Sequence, residues 1–216
     1  LLTYFDDILT KDIEKRYKLK ESEKLRALAR FYLTNISNTI TFNSIKKILD
    51  TTTNTIEKFS SYLEEANVLF FIKRFSFKVK EQEKAARKIY ATDIGLANAI
   101  GFKFSSNIGK IAENIVAVEL KKNENIEFYY WHDLQNEVDF AIKKQKVVQL
   151  IQVCWNINEY KTKEREIKAL LKASKELKCK NLIVITEDKE SEEKIKNKKI
   201  NYIPLWKWLL KINVSE

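Results

Sequence analysis

The sequence contains little of what breaks or cross-links a chain: 3 glycines, 1 proline and 2 cysteines among 216 residues. So few glycines and prolines predict long helices and few sharp turns. Cys154 and Cys179 lie far apart and form no CxxC motif, so the sequence implies neither a disulfide framework nor a zinc site.

Long apolar runs and targeting segments are also missing. No apolar run reaches the roughly 20 residues that cross a bilayer, and no signal peptide opens the chain. We therefore expect a cytoplasmic protein with no membrane partner. Because the chain begins at Leu1 and contains no methionine, we also expect that it has lost its own start or is a fragment of a longer protein.

Positive charge prevails, with 40 Lys and Arg against 30 Asp and Glu, for a net charge of +10. The two signs are interspersed and 44% of the residues are hydrophobic, which favours a folded core over disorder. A basic excess is typical of proteins with a polyanionic partner such as nucleic acid. A Lys/Glu-rich intracellular protein from a thermophile would show the same excess.

Residues 1–100 predict a helical domain that contains a winged helix. Apolar spacings indicate one helix over residues 4–16 and another that starts at Ser22. Asn43 is expected to cap a short third helix, and a recognition helix is expected to begin near Thr53.

Two strands are expected after the recognition helix, which should end at Asn67. Residues 68–72 predict the first strand, residues 88–90 the second, and residues 78–88 a polar tip between them. The order helix, turn, helix and hairpin is typical of a winged helix, whose wing would be residues 73–88.

Polar and basic side chains on this module predict a DNA-binding surface. The recognition helix offers side chains for phosphate or base-edge contacts, and the wing offers a clamp for phosphates. The same module could serve protein contacts alone, with a solvated basic hairpin. The expected nucleic-acid-binding residues are Thr53, Asn54, Lys58 and Ser61 on the helix, and Lys73, Arg74, Lys78, Lys80, Lys84, Arg87 and Lys88 on the wing.

Residues 101–216 predict a second domain of the α/β class, with its boundary in the polar stretch 101–107. Its expected order of elements is αβββαβ, and a third strand that is apolar on both faces should be central in the sheet. The expected elements are a helix over 108–122, strands over 126–131, 137–142 and 147–155, a helix over 162–177, a strand over 182–186, a surface loop or helix over 187–199, a short strand over 200–203 and a closing helix over 204–210 with Pro204 at its first position.

Three polar residues fall where this order can bring them together. Glu113 shares a helical stripe with apolar neighbours, which is unusual for a carboxylate. Asp139 lies in the second strand, and Gln152 and Cys154 share a face of the third. Oxygen atoms of Glu113, Asp139 and Gln152 could then converge on Mg²⁺, which prefers oxygen ligands and can activate water against a phosphodiester.

The runs GKIAEN, YYW, EVDF and LIQVCW carry a resemblance to a known family. They resemble the PD-(D/E)XK nuclease-like superfamily, and specifically the C-terminal region of uncharacterised archaeal and bacterial AAA+ ATPases. In those proteins a P-loop ATPase domain precedes a winged helix and a nuclease-like domain, and the run YFDDILTKDIEKRY resembles the segment after the ATPase domain. The resemblance spans nearly the whole chain. It implies an ATPase domain before Leu1 as the site for ATP, since this chain has no GxxxxGK[ST] loop.

The resemblance also shows where this chain departs from a nuclease. Glu113 matches the helical acid and Asp139 matches the strand acid, but Gln152 falls on the (D/E) position and Cys154 on the lysine position. An amide oxygen is an uncharged, weaker metal ligand, and cysteine cannot replace the lysine that orients water or stabilises charge. Other lysines could substitute, although the sequence does not place them at the site: Lys143, Lys144 and Lys146.

Each of these residues also has a structural interpretation. Asp139 could pair with a lysine or cap a strand end, and Glu113 could be a hydrogen-bond acceptor inside the fold. Cys154 could be a small buried hydrophobe. His132 lacks the partners of a catalytic triad, and Arg165 could meet phosphate or form an ion pair on a helix surface.

Three functions stay open. The sequence favours a DNA-binding and regulatory region of an AAA+-type ATPase with a degenerate, inactive nuclease-like domain. The second function is an active Mg²⁺-dependent DNA nuclease that uses Glu113, Asp139 and Gln152. The third is a protein-interaction module without nucleic acid, for oligomerisation or for a toxin–antitoxin-like partner. The preferred DNA structure, the protein partners and the oligomeric state are left open.

Overall fold

The computed structural model describes residues 1–101 and 108–212, and it shows a mixed α/β protein. Two compact units are present. The first comprises residues 1–72 and 84–114, and the second comprises residues 73–83 and the chain from residue 115 onward. The predicted domain boundary lies, from Phe102 to Asn107, outside the described residues.

The first hundred residues are mainly helical, as the apolar spacings predicted. Three short strands in this part form a sheet of order β1-β3-β2. The elements are α1 (Leu2–Asp7), a π-helical segment (Ile8–Lys15), α2 (Ser22–Thr34), β1 (Thr39–Ile40), α3 (Phe42–Ile48), α4 (Thr53–Glu65), β2 (Leu69–Lys73), α5 (Val79–Lys84), β3 (Arg87–Ala91) and α6 (Ile94–Ile100).

Threonine caps determine where α3 and α4 begin. The hydroxyl of Thr41 accepts from the backbone N–H of Ser44, and that of Thr52 accepts from the backbone N–H of Thr55, both over 3.1 Å. Each bond satisfies an N–H that has no partner within its helix. The expected cap, Asn43, instead lies in the first turn of α3.

The core of the first unit comes from one face of each helix. Its buried residues include Leu9 and Ile13 of the π-helical segment and Leu25 and Leu28 of α2. Burial of such side chains is the main source of folding free energy, at about 25 cal/mol per Å² of apolar surface.

The segment that was predicted to be a wing differs from a simple hairpin. Part of its tip forms α5, and residues 73–83 belong to the second unit. There the backbone N–H of Phe75 donates to the carbonyl of Tyr130 over 2.7 Å. The Phe75 ring also meets the Tyr129 ring edge-on, with centroids 5.7 Å apart. These aromatic contacts explain why the segment packs there.

The second unit is built on a six-stranded mixed sheet of order β4-β5-β6-β7-β9-β8. β4, β5 and β6 are antiparallel, β6, β7 and β9 run parallel, and β8 returns antiparallel at the edge. The elements from residue 108 are α7 (Ile108–Lys121), β4 (Glu127–His132), β5 (Glu137–Lys143), β6 (Val147–Val153), α8 (Tyr160–Glu176), β7 (Leu182–Thr186), β8 (Ser191–Ile195), β9 (Lys198–Pro204) and α9 (Leu205–Ile212).

β6 lies inside the sheet, which confirms the prediction from its apolar faces. The prediction for residues 187–199 was wrong, because Ser191–Ile195 forms a strand. Pro204 ends β9 and does not start the last helix, which begins at Leu205. None of the helices in the described residues combines the length and apolar character needed to cross a bilayer.

Candidate functional site

Asp139 and Gln152 come together in the second unit, because β5 and β6 are neighbours in register. The backbone N–H of Asp139 donates to Oε1 of Gln152 over 3.3 Å. Oδ2 of Asp139 in turn accepts from the backbone N–H of Val153 over 2.9 Å. Both side chains are buried, at 5% and 4% exposure. The strand alternation that predicted this pairing is thereby confirmed for these two residues.

Glu166 of α8 is the residue that the sequence interpretation missed. Its Oε2 accepts from Nε2 of Gln152 over 2.6 Å, and its Oε1 lies 2.6 Å from the guanidinium of Arg165. Glu166 stands four positions before the buried Leu170, so helical periodicity aims it inward. The same signal had singled out Glu113.

Burial and charge tune this polar cluster, which we define as Asp139, Gln152, Glu166 and Arg165. Burial raises the pKa of Glu166, the Arg165 hydrogen bond opposes that rise, and the charge of Asp139 adds to it. The guanidinium–carboxylate pair matches the ion-pair role considered for Arg165. The cluster thus concentrates negative charge around one neutral amide.

Cys154 is a neutral thiol beside this cluster. Burial raises the pKa of Cys154 to about 12, and the charges of Glu166 and Asp139 contribute to the rise. The thiolate is the form that attacks electrophiles and binds metals, and it is scarce at neutral pH when the pKa is that high. Cys154 is 3% exposed and packs in the core of the second unit.

The lysines that were considered as substitutes lie elsewhere in the second unit. Lys143 pairs with Glu127 over 2.6 Å. Lys144 and Lys146 occupy the turn before β6, whereas Gln152 is near the end of that strand. Six residues of extended strand correspond to about 20 Å. These lysines therefore do not take the place of the missing one.

The present hydrogen bonds bear on whether Mg²⁺ fits this site. Gln152 directs its oxygen to the N–H of Asp139 and its nitrogen to Glu166, so it would have to leave the Asp139 N–H to ligate a cation. Within residues 1–101 and 108–212, no three or more His, Cys, Asp or Glu side chains are grouped to hold a metal. The magnesium site over Glu113, Asp139 and Gln152 stays a prediction.

Glu113 accepts two hydrogen bonds inside the first unit. Its Oε1 receives the ammonium of Lys88 over 2.9 Å and the hydroxyl of Tyr90 over 2.7 Å. Lys88 is 2% exposed. The prediction that Lys88 is part of a phosphate clamp was therefore wrong, because a carboxylate inside the protein already neutralises it. Glu113 has the structural role that its position in an apolar stripe had left open.

Asn114 adds a second anchor on the same strand. Its side-chain oxygen accepts from the backbone N–H of Ala91, and its nitrogen donates to the Ala91 carbonyl, both over 2.8 Å. Asn114 is fully buried. The Glu-Asn pair of the GKIAEN run thus attaches the start of α7 to β3.

The predicted recognition helix is α4, which begins at Thr53 as expected. Asn54, Lys58 and Ser61 are exposed along it. The ammonium of Lys58 lies 5.9 Å from the ring centroid of Tyr62, within the range of a cation–π contact. The same helix also exposes Glu57 and Glu65, and the Ser61 hydroxyl donates to Glu65 over 3.2 Å, so its exposed side carries charges of both signs.

Acidic residues neutralise part of the basic segment 73–88. Lys73 lies 2.6 Å from Glu83, and Lys78 lies 2.9 Å from Glu81. The remaining basic residues of this segment that were predicted to bind DNA are Lys80 and Lys84, which are exposed, and Arg74 and Arg87, which are half-buried.

Comparison with known proteins gives a match for each half of the chain. Residues 1–107 match the family model described as "Domain of unknown function (DUF8612)". Residues 108–208 match the one described as "Domain of unknown function (DUF4143)". The limit between the two matches falls in the stretch where the sequence predicted a domain boundary.

Two curated proteins are similar to this chain. An uncharacterized protein of Methanocaldococcus jannaschii is 34% identical over 97% of this chain and 49% of its own length. An uncharacterized protein of Haemophilus influenzae is 28% identical over 72% of this chain and 40% of its own length. No solved structure matches. The chain thus spans half or less of the length of these relatives, and its two regions each match a separate domain of unknown function.

Proposed function

We propose that this chain is the DNA-binding and regulatory region of an AAA+-type ATPase, in which a nuclease-like unit does not cleave. The observation that carries the proposal is the replacement of two chemical groups, one near the end of β6 and one directly after it. Gln152 and Cys154 stand where the resemblance expects a carboxylate and a lysine. Phosphodiester cleavage needs charge that holds a metal and activates water, and an amide and a neutral thiol supply neither.

The contacts of the polar cluster support a role in folding rather than in catalysis. Gln152 uses both ends of its amide, one on Asp139 and one on Glu166. Arg165, the cation of the cluster, is paired with Glu166. Because these groups satisfy one another, the cluster cross-links β5, β6 and α8 without any bound ligand.

Charge and exposure support binding to DNA. Residues 1–100 contain 18 basic and 13 acidic side chains, and residues 101–216 contain 22 and 17, so each half carries a positive excess. Exposed Lys58 and Asn54 on α4 suit phosphate and base-edge contacts. Affinity of this kind should depend steeply on salt, because each neutralised phosphate releases counterions.

The link to an ATPase rests on the resemblance and on the length of the relatives. Both relatives have more residues than the matched region. That extra length leaves room for a P-loop domain. ATP would bind to that domain and not to the residues of this chain.

Two measurements test the proposal. The first is binding of a fluorescent duplex of about 20 base pairs as salt rises from about 50 to about 200 mM, followed by anisotropy. We expect affinity to fall steeply with salt. We also expect Lys58→Glu to weaken binding more than Lys161→Glu, which makes the same change of charge at an exposed position outside α4. The second is incubation of plasmid with Mg²⁺ or Mn²⁺, in which we expect no more cleavage than with Asp139→Ala.

Either measurement can overturn the proposal. Cleavage by the wild type that disappears in Asp139→Ala would establish the nuclease instead. Duplex affinity that is absent or independent of salt would leave protein interaction as the function of the chain.

A further inference from the structure

Three turns at one edge of the sheet in the second unit consist largely of lysine. β6, β7 and β9 run parallel, so the turns that precede them lie at the same edge. Their sequences are KKQK, KCK and KNKK, with no acidic residue among them. We define the lysine edge as the six lysines Lys144, Lys146, Lys178, Lys180, Lys196 and Lys198, of which Lys198 is half-buried and the others are exposed.

The strand register brings these turns close together. Leu182 of β7 pairs with Ile200 of β9, so Lys180 and Lys198, each two residues earlier, occupy matching positions. Neighbouring strands are about 4.8 Å apart. Burial raises the pKa of the Cys179 thiol while the charge of Lys198 opposes that rise, which is consistent with Lys198 lying beside the turn before β7.

The third turn adjoins the same edge from the other side of β7. Leu150 of β6 pairs with Leu182, and its backbone N–H donates to the carbonyl of Asn181 over 3.0 Å. Lys144 and Lys146 precede that pair on β6. The turns that carry the six lysines therefore span about two strand spacings, or about 10 Å, across the sheet. Along the strands they are offset, since Lys146 lies four residues before Leu150 and Lys180 lies two residues before Leu182.

No carboxylate in the described residues neutralises the lysine edge. None of its six lysines forms an ion pair with any residue in the described parts of the chain. The acidic residues nearest in sequence to the second and third turns have other partners: Glu176 accepts from the indole of Trp131, and Glu193 pairs with Lys163. Glu127 and Glu192 pair with Lys143 and Lys199, the two lysines of these turns that lie outside the lysine edge. Other lysines of this unit do pair, as Lys172 does with Asp133.

Six like charges in so small an area repel one another and attract a polyanion. We propose that the lysine edge binds the phosphate backbone of a nucleic acid and forms a contact surface separate from α4. The three turns offer ammonium groups and no aromatic ring, which suits phosphates and not stacked bases. The inference deepens the proposed DNA binding and rests on it, but it involves other residues.

The location of the lysine edge agrees with binding that does not lead to cleavage. Lys146 precedes β6, whereas Gln152 and the rest of the polar cluster lie at the opposite end of that strand. Lys146 and Gln152 are therefore about 20 Å apart along the strand. A backbone held at the lysine edge is thus not presented to Asp139.

A charge-neutralised variant tests this surface. Lys146→Gln, Lys180→Gln and Lys198→Gln together remove one charge from each turn. Lys122→Gln, Lys161→Gln and Lys168→Gln remove the same charge outside the turns and serve as the matched control. Binding of a fluorescent duplex of about 20 base pairs is followed by anisotropy between about 50 and about 200 mM salt.

We expect the lysine-edge variant to lose about tenfold or more in affinity near 100 mM salt, and its salt slope to fall by about 2 to 3. The control variant should keep more of the wild-type affinity and more of the wild-type salt slope. The same three positions changed to Arg should bind as the wild type does, because phosphate contacts need charge and not a particular side chain. Far-ultraviolet circular dichroism and melting temperature show whether each variant is folded. Should the first Gln variant unfold, Lys144→Gln, Lys178→Gln and Lys196→Gln together, which change three exposed lysines of the same turns, carry the test.

The outcomes separate this inference from the proposed function. If the wild type binds DNA and Lys58→Glu weakens it, while the lysine-edge variant matches its control, the lysine edge is not a contact surface and the proposed function stands. If only the lysine-edge variant loses affinity, the inference holds and α4 is not the recognition element. If the wild type binds a polyglutamate peptide but no duplex, both proposals fail.

Discussion

The side-chain nitrogen of Gln152 lies 2.6 Å from a carboxylate oxygen of Glu166, and this bond joins the third strand of the sheet to α8. A neutral amide therefore separates the charges of Asp139 and Glu166. In the nucleases that the sequence resembles, the resemblance implies a carboxylate at this position, a third charge that a metal would have to balance.

Gln152→Glu should destabilise the protein, because it places a third carboxylate against Glu166 and removes a hydrogen-bond donor. We expect the free energy of unfolding to fall by about 2 kcal/mol at pH 8 and by less at pH 5, where protonation relieves the repulsion. Urea unfolding at the two pH values measures the change. Gln149→Glu on the same strand is the control, and an equal loss at both pH values would contradict the electrostatic explanation.

The raised pKa of Glu166 makes stability depend on pH in a definite direction. Because the folded state holds this proton more tightly than the unfolded state, the free energy of unfolding should fall as pH rises from the ordinary glutamate range through the raised pKa. Glu166→Gln should flatten that fall, and Glu164→Gln on the exposed face should not. The measurement is the difference between variant and wild type across pH, which cancels the other titrating groups.

Cys154 should resist alkylation in the folded protein, because burial and the raised pKa keep it a protonated, enclosed thiol. We expect iodoacetamide to label it at pH 8 only after unfolding in urea, with peptide mass spectrometry as the readout. Cys179, which is also buried, should behave in the same way. Fast labelling of native Cys154 would indicate an open, ionised thiol.

Glu113→Ala should lower the free energy of unfolding by about 3 kcal/mol even in the presence of EDTA, because it leaves the buried Lys88 without this carboxylate. A residue that only held a metal would cost nothing under those conditions. The double variant Glu113→Leu with Lys88→Met should recover part of the loss. Glu124→Ala at an exposed position is the control.

Thr52→Ala should cost about 1 kcal/mol, because it removes the acceptor for the Thr55 N–H at the start of α4. Thr51→Ala, one residue earlier and without a cap role, should change stability by about 0.5 kcal/mol at most. Chemical unfolding of both variants gives the comparison. Equal losses would show that the cap bond does not determine the stability of α4.

Local signals in the sequence were enough for most of the elements. Thr53 at the start of α4 and the two apolar faces of β6 both follow from neighbouring residues alone. β8 was missed because the charged run SEEKI lies half-exposed at the sheet edge and has no apolar alternation to distinguish it from a loop.

Strand alternation predicted the part of the candidate site that lies on the sheet, and no other part. Alternation paired Asp139 with Gln152, but Glu166 enters from a helix whose position depends on tertiary packing. Lys88 was misjudged for a similar reason. A lysine is normally exposed, and nothing near it in the sequence reveals that Glu113 lies against it.

Residues 73–83 make both units discontinuous in sequence, so no single cut in the chain separates one unit from the other. The polypeptide leaves the first unit after Ile72, returns at Lys84 and leaves again after Asn114. A cut between the two family matches would leave residues 73–83 in one fragment and the rest of the second unit in the other, although Phe75 is hydrogen-bonded to Tyr130. Neither of the two matched regions, taken alone, therefore contains the whole of the second unit.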